Sequence, residues 1–142
     1  MTNAFATSLV VAFLAGTQLS HADTPLPPDV AVIVPGPETP KDAAAFSGKW
    51  IGRWDDTLDH TLVVEKVEGR DVTAIYSTGI AQRWLITSPS FARVSGKIRD
   101  DGSLRLSLSN GAQVTYRFSG NPSELQGEYA RGRIVRGTFV RQ

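Results

Sequence analysis

The chain has 142 residues, of which 41% are hydrophobic and 20% are charged, and its formal net charge is +1. This length accommodates one domain of ordinary size. The sequence contains no cysteine, which excludes disulfides, thiolate metal sites and a lipid-modified N-terminal cysteine.

An uncharged apolar segment extends from Ala4 to Gly16. At about 13 residues it is too short for a membrane span, which needs about 20. The small residues Ser20 and Ala22 fit a signal-peptide cleavage site. We therefore predict that residues 1–22 are a signal peptide, that the mature protein has no membrane span, and that it is periplasmic or secreted. An exported domain without cysteine favours the periplasm.

The segment that follows, residues 23–45, contains six prolines. Proline fixes φ and removes a backbone donor, so this segment is unsuited to a β-ladder. We predict a mobile, Pro-rich linker in which only the apolar run from Val30 to Val34 docks on the barrel or on a partner. On this interpretation, a shortened chain that begins near Ala44 folds with similar stability.

From residue 46 onward, apolar and polar residues alternate with a period of two, which is typical of half-buried strands. Asn-Gly and Asp-Gly pairs between these segments supply the positive φ that tight hairpin turns require. A one-sided series of hairpins must close on itself or stack as two sheets. We predict that residues 46–142 are all-β and form an antiparallel up-and-down barrel of eight or nine strands, with a β-sandwich as the alternative. The fourth strand is predicted to be short and to contain Trp84 and Ile86.

Gly48 and, two residues later, Trp50 open the first predicted strand, and several arginines lie on the last one. Together with the Thr-Ala-Ile-Tyr sequence that ends at Tyr76, this pattern resembles the lipocalin and avidin group of small barrels, the calycins. The resemblance implies that Trp50 closes the barrel floor. It also implies that an arginine of the final strand packs over the Trp50 ring, and Arg136 is the best candidate.

Four side chains are the candidates for a ligand site: His60, Tyr76, Trp84 and Tyr116. The period of two turns three of them inward, whereas Trp84 adjoins a Ser- and Pro-containing loop, as a residue at the barrel mouth would. Such side chains combine apolar area with a polar tip, which suits small-molecule sites. We predict a module that binds a small, partly apolar ligand and needs no cofactor. The alternative is a protein-interaction module, such as a periplasmic inhibitor or accessory domain, that uses its N-terminal arm.

Neither a catalytic site nor a metal site is predicted. Asp55, Asp56 and Asp59 precede His60, but their spacing does not match a Ca²⁺ loop, and we interpret Asp55 and Asp56 as turn residues. His60 is the only histidine after the predicted leader, and no serine lies in a Gly-x-Ser-x-Gly elbow. We therefore expect that the protein is not an enzyme. A nucleic-acid partner is not expected for an exported chain without interleaved exposed aromatics.

Overall fold

The structure is a computed structural model that describes residues 24–142, so the predicted signal peptide and its cleavage site lie outside the described residues. Eight antiparallel strands close into a barrel in chain order, and the last strand pairs with the first. The strands are β1 (Gly48–Trp54), β2 (Leu58–Glu68), β3 (Asp71–Thr78), β4 (Ser90–Ile98), β5 (Leu104–Ser107), β6 (Gln113–Phe118), β7 (Glu124–Arg131) and β8 (Arg133–Arg141). A one-turn helix, α1 (Lys41–Ala44), precedes them. The prediction of an all-β, up-and-down barrel is confirmed.

The predicted short strand at Trp84 and Ile86 is not formed. Gln82–Trp84 is a single 3₁₀ turn, and Leu85 has a φ of 60° in the left-handed region. Such a backbone cannot continue a strand, and only an isolated bridge joins Ala81 to Ile86. The barrel therefore has eight strands, and Trp84 lies on the long loop between β3 and β4.

Trp50 closes one end of the barrel, which we call the floor. Its ring is fully buried, and its indole Nε1 donates a 2.9 Å hydrogen bond to the carbonyl of Phe46. The ring of Phe118 meets Trp50 edge-on at a centroid distance of 5.9 Å. Phe46 itself packs on Phe118 at 4.7 Å. The residues just before β1 are therefore part of the core at the floor.

Arg141 covers the Trp50 ring, and the assignment of Arg136 to this role is wrong. The Arg141 guanidinium carbon lies 4.2 Å from the ring centroid of Trp50. The alternation of β8 explains the difference, because Phe139 is buried inside and Arg136 is exposed outside. Arg136 instead pairs across the outer wall with Glu128 at 3.2 Å.

Gly48 allows Arg141 to approach the floor. The φ of Gly48 is +118°, and a Cβ atom at this position would lie 3.2 Å from Nη1 of Arg141. The two guanidinium nitrogens donate hydrogen bonds to the carbonyls of Ser47 and Ala45, at 2.7 and 2.6 Å. Arg141 thereby ties the end of the last strand to the start of the first.

The opposite end of the barrel, which we call the mouth, is open on one side because β5 is short. The β4–β5 ladder joins only the segment from Gly96 to Ile98 with Leu104–Leu106. β4 begins six residues earlier, at Ser90. The part of β4 nearest the mouth therefore has no partner on its β5 side among the described residues, and the barrel interior can be reached there.

The proline-rich segment lies along the outer wall, which corrects the prediction of a mobile linker. Thr24 Oγ1 donates a 2.6 Å hydrogen bond to Thr61 Oγ1 on β2, and the Ser77 hydroxyl on β3 donates to the carbonyl of Pro25. Farther along, the N–H of Ile33 donates to a β2 carbonyl at 2.8 Å. These contacts hold residues 24–34, which we call the arm, against β2 and β3.

The arm covers two apolar side chains on the outside of the barrel. Val63 and Ile75 lie on the outward face of β2 and β3, yet they are only 2% and 0% exposed. Glu65 on β2 holds the arm near Ala31, because its carboxylate accepts a 3.0 Å hydrogen bond from the Ala31 N–H. The same carboxylate pairs with Arg93 on β4 at 2.7 Å. The arm residues therefore belong to the folded domain, which begins well before residue 46.

Removal of the arm is expected to destabilise the barrel. A chain that begins at Lys41 keeps the floor but uncovers Val63 and Ile75, and burying each such side chain stabilises by about 1.5–3 kcal/mol. Part of that gain is offset by the entropy of ordering the arm. We expect a net loss of about 2–3 kcal/mol in urea denaturation. Val34→Ser is the control, because Val34 is 84% exposed and should not change the midpoint. Equal midpoints for the shortened and longer chains would show that the arm adds no stability.

Candidate ligand-binding site

A cavity of about 560 Å³ occupies the mouth of the barrel. This volume lies within the range of small-molecule sites, about 300–1,000 Å³. Five of the residues that line it are aromatic, and they come from four strands and one loop: Trp54, Tyr76, Trp84, Phe91 and Tyr129. The lower half of the barrel, by contrast, is filled by buried aliphatic side chains such as Leu62, Leu104 and Leu106. The open space of the barrel interior therefore lies at its mouth.

The structure separates the four predicted ligand-site residues into two pairs. Tyr76 and Trp84 line the cavity. His60 and Tyr116 are fully buried beneath it and do not line it. His60 Nε2 lies 2.8 Å from the Tyr116 hydroxyl, and His60 Nδ1 lies 2.7 Å from the carbonyl oxygen of Ser77. This hydrogen-bonded pair forms a layer between the cavity and the packed lower core.

The hydrogen bonds of His60 define its protonation. The Ser77 carbonyl can only accept, so Nδ1 carries the proton and Nε2 accepts from the Tyr116 hydroxyl. Burial lowers the pKa of His60 to about 3, and the bond to Ser77 opposes this shift only in part. Burial also raises the pKa of Tyr116 well above its ordinary value. Both groups are therefore neutral at physiological pH.

Trp54 is the largest side chain at the base of the cavity, and the sequence analysis did not select it. Its ring lies over His60 at a centroid distance of 5.4 Å and meets Phe139 edge-on at 4.8 Å. Gly127 and Gly137 pair directly across β7 and β8 and make room for it. A Cβ atom on these glycines would lie 2.8 and 3.1 Å from ring carbons of Trp54. The sequence did indicate this space, since both glycines lie at inward positions of their strands and leave room for a large ring.

The indole N–H of Trp54 has no hydrogen-bond partner among the described residues, although it lies beside the Tyr76 hydroxyl. Burial raises the pKa of Tyr76, and the neighbouring indole N–H opposes that shift. The indole N–H of Trp54 and the Tyr76 hydroxyl therefore lie side by side at the base of the cavity.

Two arginines supply the charge of the cavity wall. Arg131 and Arg133 flank the tight turn at Gly132, and they are the charged residues among those that line the cavity. The Arg133 guanidinium lies 6.0 Å from the ring centroid of Trp84. No aspartate or glutamate from residues 24–142 lines the same space. The cavity therefore combines aromatic and aliphatic side chains with hydroxyl and amide groups, and its charged groups are cationic.

The acidic residues that precede His60 point away from the cavity. Asp59 pairs with Arg53 at 2.7 Å on the outer wall, while His60 faces inward. Asp55 and Asp56 form the β1–β2 turn, with φ values of 49° and 48°. The part of the chain that the structure describes contains no group of three or more side chains that could hold a metal ion.

Comparison with known proteins shows the fold and no closer relationship. No family model and no curated protein matches the chain. Among solved structures, the chain is similar to a de novo designed fluorescence-activating β-barrel, with a TM-score of 0.55 and 19% sequence identity over 73% of this chain and 100% of the designed one. At this identity the likeness shows a shared closed barrel alone. No helix within residues 24–142 is long and apolar enough to span a membrane.

Proposed function

We propose that this protein is an exported, non-catalytic module that binds a small, partly apolar molecule in the mouth cavity. The observation that carries the proposal is the distribution of packing: the lower barrel is filled, whereas about 560 Å³ stays open behind aromatic walls. A designed barrel of similar fold is described as fluorescence-activating, and the likeness supports the closed-barrel scaffold on which the proposal rests. Export to the periplasm or cell exterior is supported by the apolar N-terminal segment.

The surroundings of His60 support a binding role over a catalytic one. A general base must reach the substrate proton and titrate near the working pH. His60 uses both ring nitrogens within the core and has a pKa of about 3. It stabilises the base of the cavity and does not line it.

A matched pair of variants on β4 tests the proposal. Ala92 lines the cavity, whereas Ser95 is exposed on the outward face of the same strand. A small-molecule library is first screened by thermal shift, where a ligand at 100 times its Kd stabilises by about 2.7 kcal/mol. Ala92→Trp should abolish the shift by filling the cavity, and Ser95→Trp should leave it unchanged. Ligands that stabilise both variants equally would bind elsewhere and would contradict the proposal.

A protein-interaction function is the second candidate, and exposed apolar residues on the arm favour it. Val32, Ile33 and Val34 are 45%, 55% and 84% exposed, although the backbone N–H of Ile33 is bonded to β2. A partner bound there would be lost when all three are replaced by serine, while ligand binding in the cavity would persist. Affinity capture from an extract of the source cells, with both forms of the protein as bait, distinguishes the two functions.

A further inference from the structure

We infer that the cavity selects organic anions, molecules with an apolar body and one acidic head group such as a carboxylate, and that Arg131 and Arg133 hold the head group. This inference rests on the proposed binding function and adds the chemical class of the ligand. Three features of the mouth carry it: the direction of the two arginines, their lack of carboxylate partners, and their position opposite each other.

The two arginines occupy inward positions of their strands. On β7, Arg131 follows Tyr129 by two residues, and on β8, Arg133 precedes Val135 by two residues. Tyr129 and Val135 line the cavity, and so do both arginines. Successive side chains of a strand alternate between its faces. The inward positions of these two strands are therefore apolar below the rim and cationic at the rim.

Neither arginine has a carboxylate partner in the described part of the chain. Five other arginines do have one: Arg53, Arg70, Arg93, Arg117 and Arg136. The contact of Arg133 with the Trp84 ring leaves its guanidinium donors free to bind an acceptor. An acid from the ligand would supply the missing partner, and the guanidinium fork matches a carboxylate in bidentate geometry.

Arg131 and Arg133 are also direct register partners across the β7–β8 hairpin. Like charges directly opposite each other in a ladder are destabilising. The two side chains therefore gain most from an anion placed between them. Beneath that position lie Tyr129 and Val135 and then the ring of Trp54, so a head group at the rim directs an apolar body into the cavity.

Isothermal titration calorimetry with matched probes tests the inference on the protein lacking residues 1–22. The first pair of probes is 2-naphthoate and its neutral amide, which are aromatic. The second pair is octanoate and octanol, which have an aliphatic chain instead. We expect each acid to bind at least about tenfold more tightly than its neutral counterpart, as for the gain of a charge-assisted hydrogen bond. The advantage of the acids should shrink as salt is raised, because the rim is exposed and its charges are screened.

Variants then assign the effect to the two arginines. Arg131→Gln and Arg133→Gln should each weaken binding of the acids about tenfold and leave the neutral probes unchanged. Arg136→Gln removes the same charge from the outer face of β8. This control variant should bind the acids and the neutral probes as the unaltered protein does. Without ligand, the Tm of the two rim variants should be unchanged or slightly higher, because each variant removes the repulsion between Arg131 and Arg133. A merely structural role for these arginines predicts the opposite.

The possible outcomes separate the inference from the proposed function. If acids and neutral probes bind equally, with Ala92→Trp abolishing both, the cavity is a binding site and the preference for anions is overturned. Equal losses for Arg136→Gln and the rim variants would also overturn it, since net charge alone would then explain binding. If no library compound or probe binds in a manner that Ala92→Trp abolishes, both the inference and the proposed function fail.

Discussion

Replacement of Trp50 by alanine is expected to lower the free energy of unfolding by about 3–5 kcal/mol, the range for truncation of large buried aromatics. The indole fills the floor between Phe118 and Arg141, and its N–H satisfies the carbonyl of Phe46. The variant leaves both a cavity and an unpaired buried acceptor. Chemical denaturation followed by far-UV circular dichroism measures the change.

Two arginine variants test the assignment of the floor. Arg141→Ala should cost about 1–2 kcal/mol, because it removes a cation–π contact and hydrogen bonds to two backbone carbonyls. Arg136→Ala removes only an exposed ion pair with Glu128 and should cost no more than about 0.5–1 kcal/mol. A larger loss for Arg136 than for Arg141 would contradict the arrangement described here.

The fold could be predicted because the period of two and the hairpin turns agree from residue 46 onward, except in the loop around Trp84. The floor position of Trp50 was instead implied by the resemblance to calycin barrels, and the structure buries Trp50 there beneath Arg141. The choice between Arg136 and Arg141 could also have been made from parity. Phe139 is an apolar residue that must face inward, which turns Arg136 outward and Arg141 inward.

The depth of each residue in the barrel could not be predicted in the same way. Alternation tells which face a side chain occupies, whereas its height depends on strand register and stagger. All four candidate residues were expected near the opening; Tyr76 and Trp84 line the cavity, whereas His60 and Tyr116 lie one layer below it. The extent of the opening itself depends on the early end of β5 at Ser107, a pairing property that composition does not encode.

The arm illustrates a signal that was present but was not used. Val63 and Ile75 are apolar residues at outward positions of β2 and β3, and such residues indicate that something covers the wall. Proline content correctly excluded a strand for this segment. It did not exclude an extended chain that binds through Thr24, Pro25 and a few backbone donors.

Acid is expected to destabilise the protein through His60. The pKa of this side chain is about 6.5 in an unfolded chain and about 3 in the barrel. Between these values the unfolded chain binds a proton that the folded protein does not bind. The free energy of unfolding should therefore be unaffected by His60 above pH 6.5 and should fall by about 1.4 kcal/mol per pH unit below it, until the pH approaches 3.

The packing around His60 explains why the folded protein rejects this proton. Tyr116, Trp54 and Phe139 surround the ring, and none of them carries a negative charge. Protonation of Nε2 would also replace the hydrogen bond that it accepts from the Tyr116 hydroxyl with two donors that face each other. A buried imidazolium in this layer would thus be neither solvated nor paired.

The comparison is best made between pH 6.5 and 5, where carboxylates with lowered pKa values, such as Glu65 and Asp101, stay ionised. Over this interval His60 should account for a loss of about 2 kcal/mol in urea denaturation. His60→Gln is expected to be less stable at neutral pH, because the Tyr116 and Ser77 hydrogen bonds are altered, but its stability should be nearly flat over the same interval. If the free energy of unfolding changed equally with pH in the two proteins, His60 would titrate normally in the barrel. The interpretation of His60 and Tyr116 as a neutral layer beneath the cavity would then be wrong.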